Sequence, residues 1–200
     1  MTINLPISPG LSASVPRLID GGSWQTPIAG GTSQRIERPN AAHLAVDFTT
    51  PRIPLNGLAR TWVSRLLQGV RQPVRAFFPQ PEITIGNPGT PLIDGAGQGG
   101  YAIAIKGLTA GYKLYEGQAV SVYDAAGRAY LHIASADVVA SGDGKAILAV
   151  EPIVRAAPAD NAFVNIISPV IEGKMIGADK GVTLKRALAD GLQFTIEELR

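Results

Sequence analysis

Residues 94–107 read DGAGQGGYAIAIKG, and the two halves of this stretch ask for different folds. Gly95, Gly97 and Gly100 have the G-x-G-x-x-G spacing with which dinucleotide-binding enzymes cradle a pyrophosphate. Such a cradle needs a helix directly behind the glycines, because the free N–H groups of its first turn face the phosphates. Directly after Gly100 comes YAIAI, the alternation of a strand, and Lys106–Gly107 ends it. The chain also lacks the alternating strand and helix units of a dinucleotide-binding sheet. The glycines are therefore read as a flexible hinge into a β-rich unit.

Downstream of that hinge the strand rhythm persists. YAIAIKG, QAVSVYD, AYLHIASADVV, AILAVEP and AFVNIIS recur at about ten-residue spacing, separated by turn-forming stretches such as AAGR and SGDGK. Five strands at this spacing predict a small barrel or sandwich. Upstream, Leu44, Val46 and Phe48 alternate with His43, Ala45 and Asp47, as in a half-buried strand. PLNGLARTWVSRLLQGV is the one convincing helix. Asn56 is its expected N-cap, Leu58, Trp62, Val63, Leu66 and Leu67 its apolar stripe, and Gly69 and Pro73 its stop. Residues 1–33, rich in Pro, Gly and Ser, read as an extended arm with a short strand near Ser14–Leu18. The C-terminal VTLKRALADGLQFTIEEL reads as two strands around Ala189–Asp190–Gly191, with a helix over TLKRALAD as the rival for its first half.

Composition bounds the class. Of 200 residues 46% are hydrophobic and 17% charged, which favours a folded chain, and 23 glycines with 15 prolines favour short strands over long helices. There is no cysteine, so disulfides and thiolate metal sites are excluded. No apolar run reaches the roughly 20 residues that span a membrane, and the N-terminus lacks the order of a signal peptide. These features predict a soluble protein made in the cytoplasm, with no membrane partner. A net charge of +2 gives no footprint for nucleic acid.

The candidates for chemistry are few. His43 and His132 have no companion at metal-ligand spacing, and each is expected to face solvent from a strand. Asp124, Asp137, Asp143 and Asp160 lie in or beside predicted turns, where bonding to the local backbone explains them. No nucleophile elbow, phosphate loop or zinc-protease motif is present. We therefore expect no catalytic residues, no cofactor and no metal. Tyr101, Tyr112, Tyr115, Tyr123 and Tyr130 all fall within the five-strand unit, where they could form a sugar-stacking platform or serve as core and interface residues. Residues 85–160 hold five Lys and Arg against seven Asp and Glu, a net of −2, which argues against a phosphate-binding groove. Arg52, Arg60, Arg65, Arg71 and Arg75 surround the helix with no acidic residue between Asp47 and Glu82. Arg60, Arg65, Arg71 and Arg75 are the candidate partner interface, since arginine is favoured in interfacial ion pairs.

The stretches ARTWVSRLLQGVRQPVRAFF, NPGTPLIDGAGQGG, GRAYLHIASADVVASGDGKAILAVEPIVRAAPADNAFV and SPVIEGKM resemble the distal tail (baseplate) proteins of tailed bacteriophages with long non-contractile tails. The likeness covers roughly residues 40–200 and is one of texture and order. It implies a mainly β fold: a β-sandwich with one packed α-helix and an inserted small five-stranded OB-like β-barrel. The sandwich would take residues 1–84 with 165–200 and the barrel residues 85–164, with the glycine hinge letting the insert sit off the ring. It further implies a structural virion protein at the tail tip, in a homo-oligomeric ring, commonly sixfold, with the tail tube and tail hub proteins as partners. Trp62 is the expected anchor of the helix on the sandwich core. Alternative readings are another phage morphogenesis role, in tail completion or head–tail joining, and a carbohydrate-binding module using the tyrosines.

Overall fold

A computed structural model of the chain describes residues 1–200 apart from 29, 37, 39, 40, 55, 56, 178–187, 190 and 200. Along the chain run β1 (Ile3–Asn4), β2 (Ala13–Ile19), β3 (Ser23–Gln25), β4 (Gln34–Ile36), β5 (His43–Thr49), β6 (Ile53–Pro54), α1 (Leu58–Gly69) and β7 (Val74–Phe77). Then come β8 (Gly89–Ile93), β9 (Gly100–Leu108), β10 (Lys113–Leu114), β11 (Ala119–Tyr123), β12 (Ala129–Ala134), β13 (Val138–Val139) and β14 (Ala146–Val154). The last are β15 (Val164–Asn165), β16 (Val170–Ile176), β17 (Leu188–Ala189) and β18 (Gln193–Glu198). Among the described residues the fold is mainly β with one helix, as the sequence predicts.

An outer sheet has the order β1-β7-β16-β18-β5-β2. Its period of two puts Leu44, Val46 and Phe48 of β5, Phe194 and Ile196 of β18, and Val74 and Ala76 of β7 in one buried core. Helix α1 closes that core with Ala59, Trp62 and Leu66. Trp62 is 1% exposed, lies 6.2 Å from the Phe194 ring, and donates its indole N–H to Ser8 O at 2.9 Å. It is the anchor expected of it. The opposite face of the sheet carries Arg17–Asp47, Arg75–Glu172 and Lys174–Glu197 ion pairs. Gly57 occupies the N-cap position, while the expected cap, Asn56, lies outside the described residues. Leu67 is 65% exposed and does not belong to the apolar stripe, which runs instead through Ala59, Trp62, Leu66 and Gly69.

The second sheet, β15-β11-β12-β14-β9-β8, nearly closes on itself, because a bridge from Leu92 to Phe163 brings β8 to the segment leading into β15. Ile93, Ile103, Ile105, Val120, Leu148, Val150 and Val164 fill it and are fully buried. The five expected strands are all present, and β8 makes a sixth. By sequence alone residues 89–93 belong to a glycine-rich connection, since Pro91 interrupts any alternation there.

The glycine segment is not a hinge between units. It links β8 to β9 inside the barrel, and Gln98 staples it with side-chain bonds to Asp94 O, Gly95 O and both backbone groups of Ala104. Gly95, Gly97 and Gly100 have φ of 94°, 74° and 81°, the left-handed region that a glycine turn supplies. The N–H of Gly95 goes to Asp160 and that of Gly97 to Pro158 O, so two of the donors a phosphate would need are taken. The rival helix over residues 183–190 falls outside the described residues except for Leu188–Ala189, which pair with β6.

The barrel joins the outer sheet through carboxylates. β14 pairs with β12 only at Ile133 and Ala134, and its register against β9 slips between Ala149 and Val154, around Pro152. The edge of β12 that β14 vacates is taken over by the outer sheet: Ala129 N–H donates to Glu172 Oε2 at 3.0 Å and Leu131 N–H to Glu198 Oε1 at 2.7 Å. Ser121 Oγ completes the joint by donating to Val170 O and accepting from Val170 N–H.

Candidate functional site

The junction carboxylates are structural. Glu198 is 2% exposed and also accepts from Leu44 N–H and from the Arg155 guanidinium, whose side chain is 6% exposed. Burial pushes the Glu198 carboxyl up, against the pull of Arg155 and the two amides. Glu172 accepts from Arg75 and Thr2 as well as Ala129. Each of these donors is committed to a carboxylate of the junction.

The candidate acids and bases are committed too. Hydrogen bonds from Lys113, Ser141 and Lys106 hold Asp137, Asp143 and Asp160 below the ordinary carboxylate range. Asp124 is buried enough to oppose its ionisation, yet its bonds to Arg128 and the Ala126 amide outweigh this and lower it. Each of the four serves a turn or a surface ion pair. The histidines depart from expectation, since both are buried. His43 lies between Ala41 O, at 2.8 Å, and Glu197 Oε1, at 3.1 Å. His132 places Nδ1 2.9 Å from Pro152 O, so that nitrogen carries the proton, and burial lowers its imidazole from 6.5 to about 4. Strand alternation says which side chains share a face and not what covers it. Among the described residues no group of three or more His, Cys, Asp or Glu is arranged to hold a metal, and no helix is long and apolar enough to cross a membrane.

The tyrosines do not form one platform. Tyr112 packs against the barrel core and bonds Ile85 O. Tyr123 is wedged between Arg75 and Phe163, and Tyr130 lies beneath Arg155. Tyr101 and Tyr115 are about half exposed and line separate depressions.

The arginines divide in the same way. Arg75 is spent on Glu172 and Gly127 O, and Arg65 on Asn4 O at 2.6 Å, where it ties α1 to β1. Arg52 is exposed just ahead of β6. Arg60 and Arg71 are exposed and have no ion pair among the described residues. Arg60, Ser64, Leu67 and Gln68 make up the outer face of α1, at the i, i+4, i+7 and i+8 positions of one stripe, and Arg71 stands in the turn just past the helix. Just beyond the C-terminal end of β7 lies a cavity of about 540 Å³ lined by Phe78, Gln80, Glu82, Ile83, Tyr115 and Glu116, among others. Glu82 and Glu116 are exposed and have no cation partner among the described residues. Gln80 accepts from Ala119 N–H at 2.7 Å, which fixes its amide orientation and leaves its buried Nε2 without an acceptor among the described residues.

A third surface is the β3–β4 hairpin. All six of its strand residues are exposed, Trp24 is 68% exposed, and an Arg35 guanidinium lies 6.0 Å over that ring. No known family model matches the chain, and no curated protein matches it.

Proposed function

We propose that this chain is a structural subunit of the tail tip of a tailed bacteriophage with a long non-contractile tail. It would form a homo-oligomeric ring, commonly sixfold in proteins of this kind, at the distal end of the tail tube and link the tube to the central hub. It has no chemistry of its own in this reading.

The observation that carries the reading is the hairpin β3–β4. A two-stranded ribbon is at best marginally stable alone in water, and this one buries none of its six strand residues against the rest of the chain. Trp24, Ile28 and Ile36 stand exposed along it. Such an arm suits a chain whose neighbours in an assembly supply the missing core. The resemblance of residues 40–200 and the pairing of a helix-covered sheet with a barrel support the same reading.

Electron microscopy of phage particles with gold-tagged antibody against this chain tests it. Gold at the far tip of the tail is the expected result. Gold at the head–tail junction would move the chain to a connector role. Absence of label on particles that contain the chain by immunoblot, opened with detergent to expose buried epitopes, would overturn the tail-tip assignment.

A further inference from the structure

The outer face of α1 and the cavity beyond β7 are complementary in charge, and each carries apolar surface beside its charges. Along and just past the helix, exposed Leu67 and Val70 lie in sequence between Arg60 and Arg71, two cations without an ion pair among the described residues. In the cavity, the apolar surface of Phe78, Ile83 and Tyr115 lies beside two exposed carboxylates, Glu82 and Glu116. Lys113, which sits 4.6 Å over the Tyr115 ring, is already held by Asp137 at 2.7 Å and does not answer either glutamate.

In the chain the helix precedes β7 and the cavity follows it. One copy does not pair them: no ion pair among the described residues joins Arg60 or Arg71 to Glu82 or Glu116. A second copy can.

We propose that the outer face of α1 docks into the cavity beyond β7 of a second copy of this chain, with Arg60 and Arg71 paired to Glu82 and Glu116 and Leu67 seated in the apolar floor. This rests on the reading of the chain as a ring-forming subunit and names the contact that joins neighbours.

Charge exchange tests it, read by sedimentation velocity on the full chain. The wild-type chain self-associates, and 1 M salt weakens the association because exposed pairs are screened. The Arg60→Glu/Arg71→Glu variant and the Glu82→Arg/Glu116→Arg variant each lose at least about tenfold in association, since like charges then face one another. An equimolar mixture of the two regains it, because each defective surface meets its complement. Far-UV circular dichroism and melting near wild type confirm that both variants are folded. If the wild type associates and neither variant changes this, the docking contact is wrong and the ring reading stands. If both variants fail and their mixture also fails, the surfaces do not face each other and the proposal is overturned. A wild-type chain that stays monomeric up to the millimolar range would overturn both the contact and the self-assembling ring.

Discussion

The barrel–sheet junction and the outer face of α1 use the same groups, carboxylates and arginines, in opposite circumstances. At the junction Glu198 and Arg155 are almost fully buried, and Glu198 answers two backbone amides as well as the guanidinium. On α1 and in the turn just past it, Arg60 and Arg71 stand exposed without an ion pair among the described residues, beside an exposed leucine. A buried charge is tolerated only when its partners are in place, so the junction was completed by folding. An exposed arginine and leucine contribute little to a lone chain and are retained at no folding cost. The difference separates the surfaces that hold the subunit together from those free to meet another molecule.

The comparison is broken most directly at Glu198. Glu198→Ala strands Arg155 and the Leu131 and Leu44 amides, and is expected to cost about 4 kcal/mol of stability in urea unfolding. A loss within about 1 kcal/mol would mean that the junction is not held by this pair. The pH dependence comes next. Burial lowers the His132 imidazole to about 4, so between pH 6.5 and 4 the unfolded chain binds a proton that the folded chain does not. Stability falls as pH drops through that window, by about 3 kcal/mol from this residue. The raised carboxyl of Glu198 acts in the opposite sense on acidification, so the comparison is with His132→Gln, whose unfolding free energy should fall less steeply between pH 6.5 and 4. Equal slopes would remove His132 from the account.

Smaller effects sharpen the contrast. Ser121→Ala leaves the Val170 amide and carbonyl unanswered at the joint and should cost about 2 kcal/mol by thermal or urea unfolding. Leu67→Ser and Trp24→Ser should change the stability of the unassembled chain by less than about 0.5 kcal/mol, while Leu67→Ser weakens association. A large loss of stability from Leu67→Ser would show that this face is packed within the chain.

The barrel was legible because its signals are local: alternation within strands and glycine turns between them. β8 was not, because GTPLI has no alternation and becomes a strand only by pairing with β9 and meeting Phe163 across the closure. Taking that segment as a connection makes the glycines look like a hinge. Half of the junction could have been found, since Glu198 continues the parity of Phe194 and Ile196, and a carboxylate on an apolar parity signals a buried acid. Glu172 carries no such mark. Its partner Arg75 lies 97 residues earlier, and that arginine groups with the interface by sequence because its neighbours there are basic. Charge clustering along the chain locates the helix face but does not tell Arg60 and Arg71, which are exposed, from Arg65 and Arg75, which are used internally.

Hydrogen–deuterium exchange of the chain, below and above the concentration at which it associates, bears most directly on the division between self-completed and partner-completed surfaces. The Ala129 and Leu131 amides, which end on Glu172 and Glu198, should exchange slowly in both states. The β3 and β4 amides should exchange fast in the dissociated chain and slow on assembly. Slow exchange of β3 and β4 in the dissociated chain, or no change on assembly, would show that the hairpin does not depend on a neighbour and would remove the observation on which the assembly reading stands.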